Sequence, residues 1–420
     1  MYLAGIIFII AYVFIATDKI NKTLVALFGA SLMLILHVLS QDQAFHHIDF
    51  NVIFLLVSMM VLVKVVEQTG IFEYIAIKLA KMVKGEPFAI LLVLFFLTAI
   101  FSAILDNITT VLLIAPLSIL LARELRITPI PFLLAQIFAS NIGGTATLIG
   151  DPPNIMIGSA AGLTFLDFII NVAPLVLIEL PIIALLLFFI FRKKMKVSNQ
   201  DQARIMAFDD KKLIKNPKLL KKSLFVMGAV IIGFVIHGFV DLEAATIALT
   251  GASLLIIMGG LNPDEIFKKV EWSSIFFFIG LFIMVGGLVE TGVIGLLSNK
   301  MLAFTQGDLS KTVKVMIWFS SVFSAIVDNI PFVATMIPLI QDMGTQLGSQ
   351  DITPVWWALS LGSCLGGNGT LIGASANIIV VSMAQKAGHK ISFLGFLKYS
   401  IPVFLITIAI AYFYLVIRYF

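Results

Sequence analysis

Two places in this chain set a carboxylic acid beside a carboxamide inside apolar sequence: Asp106-Asn107 and Asp328-Asn329. A carboxylate at membrane depth costs roughly 2.5–3.5 kcal/mol on insertion scales. Asp and Asn are good N-caps for helical arms starting at Ile108 and Ile330, and Pro331 suits a first turn. Ser or Thr would cap without a charge, so duplicate acids at duplicate tips point to a proton or cation site. Burial favours the neutral carboxyl and a nearby cation favours the ionised one, so such a group can exchange H+ for Na+. Asp106, Asp328 and Asp151 are the expected coupling-ion residues, with a bound Na+ as the only metal and no organic cofactor.

A second pair of motifs, Gly143 to Ile155 (GGTATLIGDPPNI) and Gly366 to Ile378 (GGNGTLIGASANI), reads as unwound helix. Paired glycines permit non-helical backbone, and Pro152-Pro153 forbids a continuous helix. Unwound backbone at membrane depth must line a cavity or be buried in protein. Its freed carbonyls suit a cation and its freed helix N-termini suit an anion, while Asn154 and Asn377 can cap the helices that restart. The expected substrate contacts from the first half are Asn107, Thr109, Thr110, Gly144, Thr145, Thr147 and Asn154. Those from the second are Asn329, Gly367, Asn368, Thr370, Ser375 and Asn377. With Pro331, Phe332 and Ala374 also in the second half, the cavity should be more polar on the first side and tighter on the other. No Arg or Lys lies within these motifs, so a multiply charged anion would need helix ends and a co-bound cation.

The elements that position these groups must be membrane helices. Of 420 residues, 60% are hydrophobic and 12% charged, against about 45–50% and 25% in soluble domains; mean hydropathy is +1.07. This excludes a soluble enzyme, a disordered chain and a nucleic-acid binder. The single cysteine, Cys364, excludes a disulfide framework and any CxxC motif. Tyr2 to Ala16 lacks a basic n-region and a cleavage site, and reads as a membrane helix. Apolar segments fall at 2–17, 23–39, 52–66, 88–105, 108–121, 130–142, 154–163 and 168–191, then at 223–240, 244–261, 275–289, 312–327, 330–340, 355–365, 377–385 and 396–418. Since a crossing needs about 20 helical residues, several of these are too short alone.

The two halves are copies. FSAILDNI (Phe101–Ile108) recurs 222 residues on as FSAIVDNI, with seven of eight positions identical. The glycine motifs share eight of thirteen positions, 223 residues apart. Gly29-Ala30-Ser31 recurs as Gly251-Ala252-Ser253, Thr69-Gly70 as Thr291-Gly292, and Thr164-Phe165-Leu166-Asp167-Phe168 is echoed by Ser392-Phe393-Leu394-Gly395-Phe396. Basic residues follow the positive-inside rule: Lys19 and Lys22, then Lys78, Lys81 and Lys84, Arg123 and Arg126, and Arg192, Lys193, Lys194 and Lys196 form inner bands. The 40–51, 158–167, 241–243 and 341–354 loops carry no Lys or Arg. Residues 88–121 begin and end on one side, as a re-entrant hairpin or two full crossings would, and arms of about 18 and 14 residues favour the hairpin. An odd number of crossings then inserts the second half upside down.

The expected fold is an all-α polytopic membrane protein with an inverted-topology repeat, about ten full crossings, two re-entrant hairpins and two broken helices. Residues 1–196 form the first repeat, 197–222 a basic cytoplasmic linker and 223–420 the second repeat, with both termini outside. Ile71–Val83 reads as an interfacial helix with Lys78 and Lys81 on its wet side. Lys64 and Glu67, three apart, suggest a local ion pair; Glu290 is a helix-end residue; Glu179 is a proton relay or a protonated acid facing the bundle; Cys364 is a packing residue. The five histidines lack ligand spacing, and neither GxxxxGK nor HExxH is present. Gly150-Asp151 is half of an intramembrane aspartyl protease signature, but Leu148 stands where a glycine is required.

Over almost its whole length the chain resembles the ion transporter superfamily, nearest its arsenite permease, NhaD-type antiporter and P-protein branch, whose domain is citrate-transporter-like. The likeness is carried by Asn141-Ile142-Gly143-Gly144-Thr145-Ala146-Thr147-Leu148-Ile149-Gly150-Asp151-Pro152-Pro153-Asn154, similar to the P-protein form, and by the two Asp-Asn tips. Dicarboxylate and citrate carriers of the superfamily have Ser-Asn-Thr at the tips, so Asp106-Asn107-Ile108 and Asp328-Asn329-Ile330 argue against Na+-coupled dicarboxylate uptake. The resemblance implies a central site built by both halves and elevator-like movement against a scaffold. The expected function is ion-coupled secondary transport of a small inorganic solute, arsenite or a simple anion, across the cytoplasmic membrane, as efflux driven by H+ or Na+. A Na+/H+ antiporter is the alternative and an anion channel a distant third. Arsenite would bind as neutral trihydroxide, because one cysteine cannot make a three-thiolate site. The expected partners are the solute and the lipid bilayer. A homodimer is admitted, since lipid-facing and subunit-facing surfaces look alike, and a cytoplasmic ATPase enters only by analogy with arsenite permeases.

Overall fold

The computed structural model describes residues 1–17, 20–348 and 351–420, without the side chains of Lys194 and Lys211. Lys19 of the first inner band and residues 349 and 350 of the 341–354 loop lie outside the described residues. All regular structure in the described residues is helical. Among the described residues, eight helices are long and apolar enough to cross a membrane, or nine if one bent pair counts as a span, and five shorter apolar helices join them.

Each Asp-Asn dipeptide sits at the short break between two helical arms that touch one another. Pro87–Ile104 and Asn107–Glu124 form the first hairpin, Leu309–Ile326 and Asn329–Leu347 the second. The second arms outrun the apolar segments because they end in polar turns that still satisfy a helix. Pro116 and Pro338, 222 residues apart, lie inside them. The glycine motifs break two further helices: Ile130–Thr145 gives way to Pro152–Ala161, and Thr353–Gly366 to Ser375–Lys386.

Close approach explains the glycines. A Cβ on Gly143 would lie 2.2 Å from the Ala99 carbonyl oxygen, and one on Gly366 would lie 2.7 Å from that of Ser321. These are equivalent contacts of the two halves, each packing a hairpin arm on a broken helix. Gly143→Val should therefore destabilise the protein by about 1–3 kcal/mol of overpacking, read as a lower melting temperature in detergent; an unchanged melting curve would contradict this packing.

The halves interlock by exchange. Lys22–Ile35 packs on Trp272–Glu290, and its repeat counterpart Ala244–Gly259 packs on Phe50–Glu67. Pro152–Ala161 packs on the second hairpin's Asn329–Leu347, and Ser375–Lys386 on the first hairpin's Asn107–Glu124. The site is thus enclosed by both copies.

Two segments differ from the sequence expectation. The run 168–191 is divided at Val172: Phe165–Asn171 bends by 110° from Pro152–Ala161, and Ala173–Phe191 follows with Pro174 in its first turn. The equivalent Phe393–Tyr419 runs unbroken through Pro402. The polar stretch 192–222 is also shorter than its composition suggests, because Asn216 caps a helix, Pro217–Ile236, that begins inside it.

The remainder of that stretch folds onto the protein. Lys81 donates to the Phe208 carbonyl at 2.9 Å and to Asp210 at 2.6 Å, and the Lys215 amide donates to the Thr69 carbonyl. Lys81 belongs to Ile71–Met82, which buries Phe72, Ala76, Ile77 and Ala80, while Lys78 is exposed. The Lys81 hydrogen bond holds the Asp210 carboxyl below its ordinary value. A depressed acid stabilises above its unfolded pKa and loses that contribution as pH falls through the folded one. The tie is therefore intact at neutral pH, and Lys81→Ala should speed trypsin cleavage of the linker at pH 7.5. Equal cleavage rates would show that the tie does not hold it.

Candidate functional site

Both hairpin tips converge on Asp151. The Asn107 carboxamide donates to Asp151 Oδ1 at 3.1 Å, and Asn329 donates to its two oxygens at 3.3 and 3.2 Å. Asp151 is fully buried, and Asn107 and Asn329 are 3% and 2% exposed. Asp151 ends the unwound stretch and immediately precedes Pro152–Ala161. Its place is fixed below by Thr147, whose hydroxyl donates to the Ala103 carbonyl at 2.6 Å and accepts from the Gly150 amide. The Asp151 carboxylate takes neutral donors, the Asn107 and Asn329 amides and the Cys364 thiol, a poor match for an ionised acid in a dry interior.

Around this carboxylate lie buried polar atoms without a protein partner: Asn107 Oδ1, Thr110 Oγ1 and Asn141 Oδ1, besides Asn368 Nδ2 and, at the other tip, Asp328 Oδ1. The oxygens among them are hard donors of the type that a proton donor or small cation satisfies.

Asn154 and Asn377 act as braces for the two breaks. Asn154 donates to the carbonyls of Gly144, Thr145 and Thr147, and its oxygen accepts from Ser360 at 2.7 Å and from the Cys364 thiol at 3.4 Å. Asn377 donates to the carbonyls of Gly367 and Thr370 at 2.7 and 2.9 Å. Its oxygen accepts from Asn141, which also donates to Asn368. Asn141 and Cys364 occupy equivalent repeat positions, so each break is braced from the other half's broken helix. Thr145 and Thr370 hydroxyls are turned to the carbonyls of Asn141 and Ala325. Ser102 and Ser324 make one further matched pair, donating to Ser140 and Ser363 carbonyls at 2.6 Å each.

The two acidic tips are not alike. Asp106 caps its arm, accepting from the Thr109 amide at 2.8 Å. Asp328 makes no side-chain cap. The equivalent third helical residue is Pro331, which has no N–H to offer. The freed Asp328 carboxylate instead takes Lys22 Nζ at 2.8 Å and the Ser375 hydroxyl at 2.5 Å. Lys22 also donates to Ser375 at 2.6 Å and lies 5.1 Å over the Phe277 ring. A lysine remote in sequence thus enters a site whose own motifs carry no base.

Lys22 lines a cavity of about 30 Å³ with Asp106, Glu271, Ser274, Ile108 and Ile330. That volume holds a water or two or a small ion. Its polar wall comes from Asp106, Lys22, Glu271 and Ser274, with the second hairpin contributing only Ile330. A separate cavity of about 190 Å³ lies between Pro152–Ala161 and Asn329–Leu347, lined by His47, Asp49, Met156, Ala334 and Gln341.

Other polar groups fall where their spacing suggested. Lys64 and Glu67 pair at 3.0 Å. Glu290 meets His47 at 3.1 Å and Gln43 at 3.0 Å. Glu179 is fully buried with both carboxyl oxygens unpartnered, away from the hydrogen bonds of the site. Lys22 gave no motif signal, because a lysine at the end of an apolar helix is what membrane topology alone demands, and Glu271 stands outside both duplicated motifs. Asn141 was visible inside the first motif, but its bridging role depends on the fold.

A helical membrane protein with two hairpins, two broken helices and one shared polar centre is a transporter architecture. The profile of the CitMHS family, described as "Citrate transporter", matches residues 12–362, and the chain belongs to that family. An uncharacterized transporter of Mycobacterium tuberculosis is 45% identical over 419 residues, covering 99% of this chain and 97% of that one. The P protein of Mus musculus is 31% identical, covering 97% of this chain and 59% of its own length. The crystal structure of the YdaH transporter of Alcanivorax borkumensis has the same fold at a TM-score of 0.56 and 14% identity, covering 87% of this chain and 84% of that one. The chain is a multi-pass membrane transporter.

Proposed function

We propose that this protein is an ion-coupled secondary carrier of a small inorganic solute, arsenite or a simple anion, exporting it across the cytoplasmic membrane against H+ or Na+. The observation that carries this reading is the buried Asp151 carboxylate, held by amides from both hairpin tips and, among the described residues, by no basic side chain. A charge in that setting is stable when it is protonated or holds a cation. Asp106, Asp151 and Asp328 are the acidic groups through which coupling acts. The solute meets Asn107, Thr110, Asn141 and Asn368, whose polar atoms retain unused hydrogen-bonding capacity. The cavity beside the tips suits a solute of a few atoms better than citrate.

An inverted repeat whose halves exchange helices around one site suits alternating access, with the hairpins and broken helices moving as an elevator against the frame of Lys22–Ile35, Trp272–Glu290 and their counterparts. This reading has the central linker in the cytoplasm.

Na+/H+ antiport is the second reading. It is favoured by two carboxylates, Asp106 and Glu271, on a cavity whose single lysine is already committed to Asp328. A solute panel in proteoliposomes, run with and without Na+ and a pH gradient, separates the two. Saturable exchange of labelled arsenite or anion supports the first; Na+-dependent proton flux with no other solute supports the second. Linear, unsaturable flux would contradict both and indicate a pore.

A further inference from the structure

Lys22 is the first residue of its helix, where the helix dipole disfavours a positive charge. A lysine there needs a strong partner, and it has one: the Asp328 carboxylate and the Ser375 hydroxyl together. Three differences between the repeats cooperate to build this contact. Position 22 corresponds to Ala244, the first residue of the equivalent helix. Thr109, whose amide occupies Asp106, corresponds to Pro331, which releases Asp328. Pro152 corresponds to Ser375, which adds the hydroxyl. Without Lys22, Asp328 would present a buried carboxylate, the neighbouring Ser375 hydroxyl and an unpartnered oxygen, Oδ1, a set of hard oxygen donors around the space the ammonium leaves. The other charged groups on the adjoining cavity, Asp106 and Glu271, are both acidic and would add to its attraction for a cation.

We infer that the Lys22 ammonium is a built-in cation that fills the second-half ion site at Asp328, so that the exchangeable coupling cation is confined to the first-half groups Asp106 and Asp151. This rests on the coupled-carrier reading above and narrows it by taking Asp328 out of the exchanging set: the duplicated scaffold has two ion positions, one of which the chain occupies itself. A purely structural ion pair would also join Lys22 to Asp328, so the test must count ions.

Cations bound to purified protein are counted as radioactive sodium by equilibrium dialysis and as protons by indicator-dye uptake. Lys22→Met should bind one more cation per chain than the wild type, and the gain should vanish in the Lys22→Met, Asp328→Asn double variant. Lys22→Arg, which keeps the charge, should match the wild type. An equal count in Lys22→Met and wild type overturns the inference. If Lys22→Met does not fold, Asp328→Asn in the wild-type background decides: its count must equal that of the wild type, and a count lower by one overturns the inference. A wild type that binds no cation, with a gain in Lys22→Met, would defeat the coupling proposed above while supporting the role of Lys22.

Discussion

Asp151→Asn should yield a folded carrier that has lost its ion dependence. The substitution keeps the shape of the side chain and one acceptor for the Asn107 and Asn329 amides, but removes the charge that both tips surround. The Na+ or H+ concentration giving half-maximal transport should rise by about 100-fold or more, equivalent to about 2.8 kcal/mol at 1.4 kcal/mol per tenfold. A pairwise charge contact in a buried site commonly carries energy of this order. Half-saturation within twofold of the wild type would remove Asp151 from the coupling site. The readout is made on protein that elutes as a single species, so that loss of fold is not mistaken for loss of coupling.

Asn154→Leu should have the opposite character, destroying the fold. The leucine leaves the carbonyls of Gly144, Thr145 and Thr147 without their amide donor, and strands the Ser360 hydroxyl. Each buried polar group left unpaired costs about 1–3 kcal/mol, and several are lost together where no water can substitute. The expected result is loss of the monodisperse peak in size-exclusion chromatography. Asn377→Leu, which frees two carbonyls, should be milder. A wild-type melting temperature for Asn154→Leu would show that the break is braced by other means. The contrast also separates roles that sequence could not: Asn154 and Asn377 spend their amides on the backbone, whereas Asn107 and Asn329 point theirs at Asp151.

The repeat made much of this legible beforehand. A duplicated FSAI-x-DNI and a duplicated GG…TLIG locate the tips and breaks, because glycine, proline and intramembrane acids are each costly unless the fold uses them. What sequence could not supply is which copy braces which. Asn141 and Cys364 reach across to the opposite half's break, a relation set by the exchange of packed helices and not by local pattern. Asp151 was readable as an acid in a loosened segment, but its position between the tips follows only from the fold. Lys22 was invisible for a different reason. A lysine at a helix end is what sidedness requires, so its charge carries no signal until Asp328 is found beside it. Pro331 was the one available hint, since a proline at that position removes the amide that an acid at 328 would otherwise cap.

The claim beneath all of this is that one buried polar centre, shared by the two halves, ties solute movement to a cation gradient. The direct measurement is solute accumulation in proteoliposomes under an imposed Na+ or pH gradient. The account predicts that labelled solute concentrates above its level in the bath, that the flux saturates, and that an ionophore collapsing the cation gradient releases it. Solute that merely equilibrates, at a rate linear in concentration and indifferent to the ionophore, would contradict it.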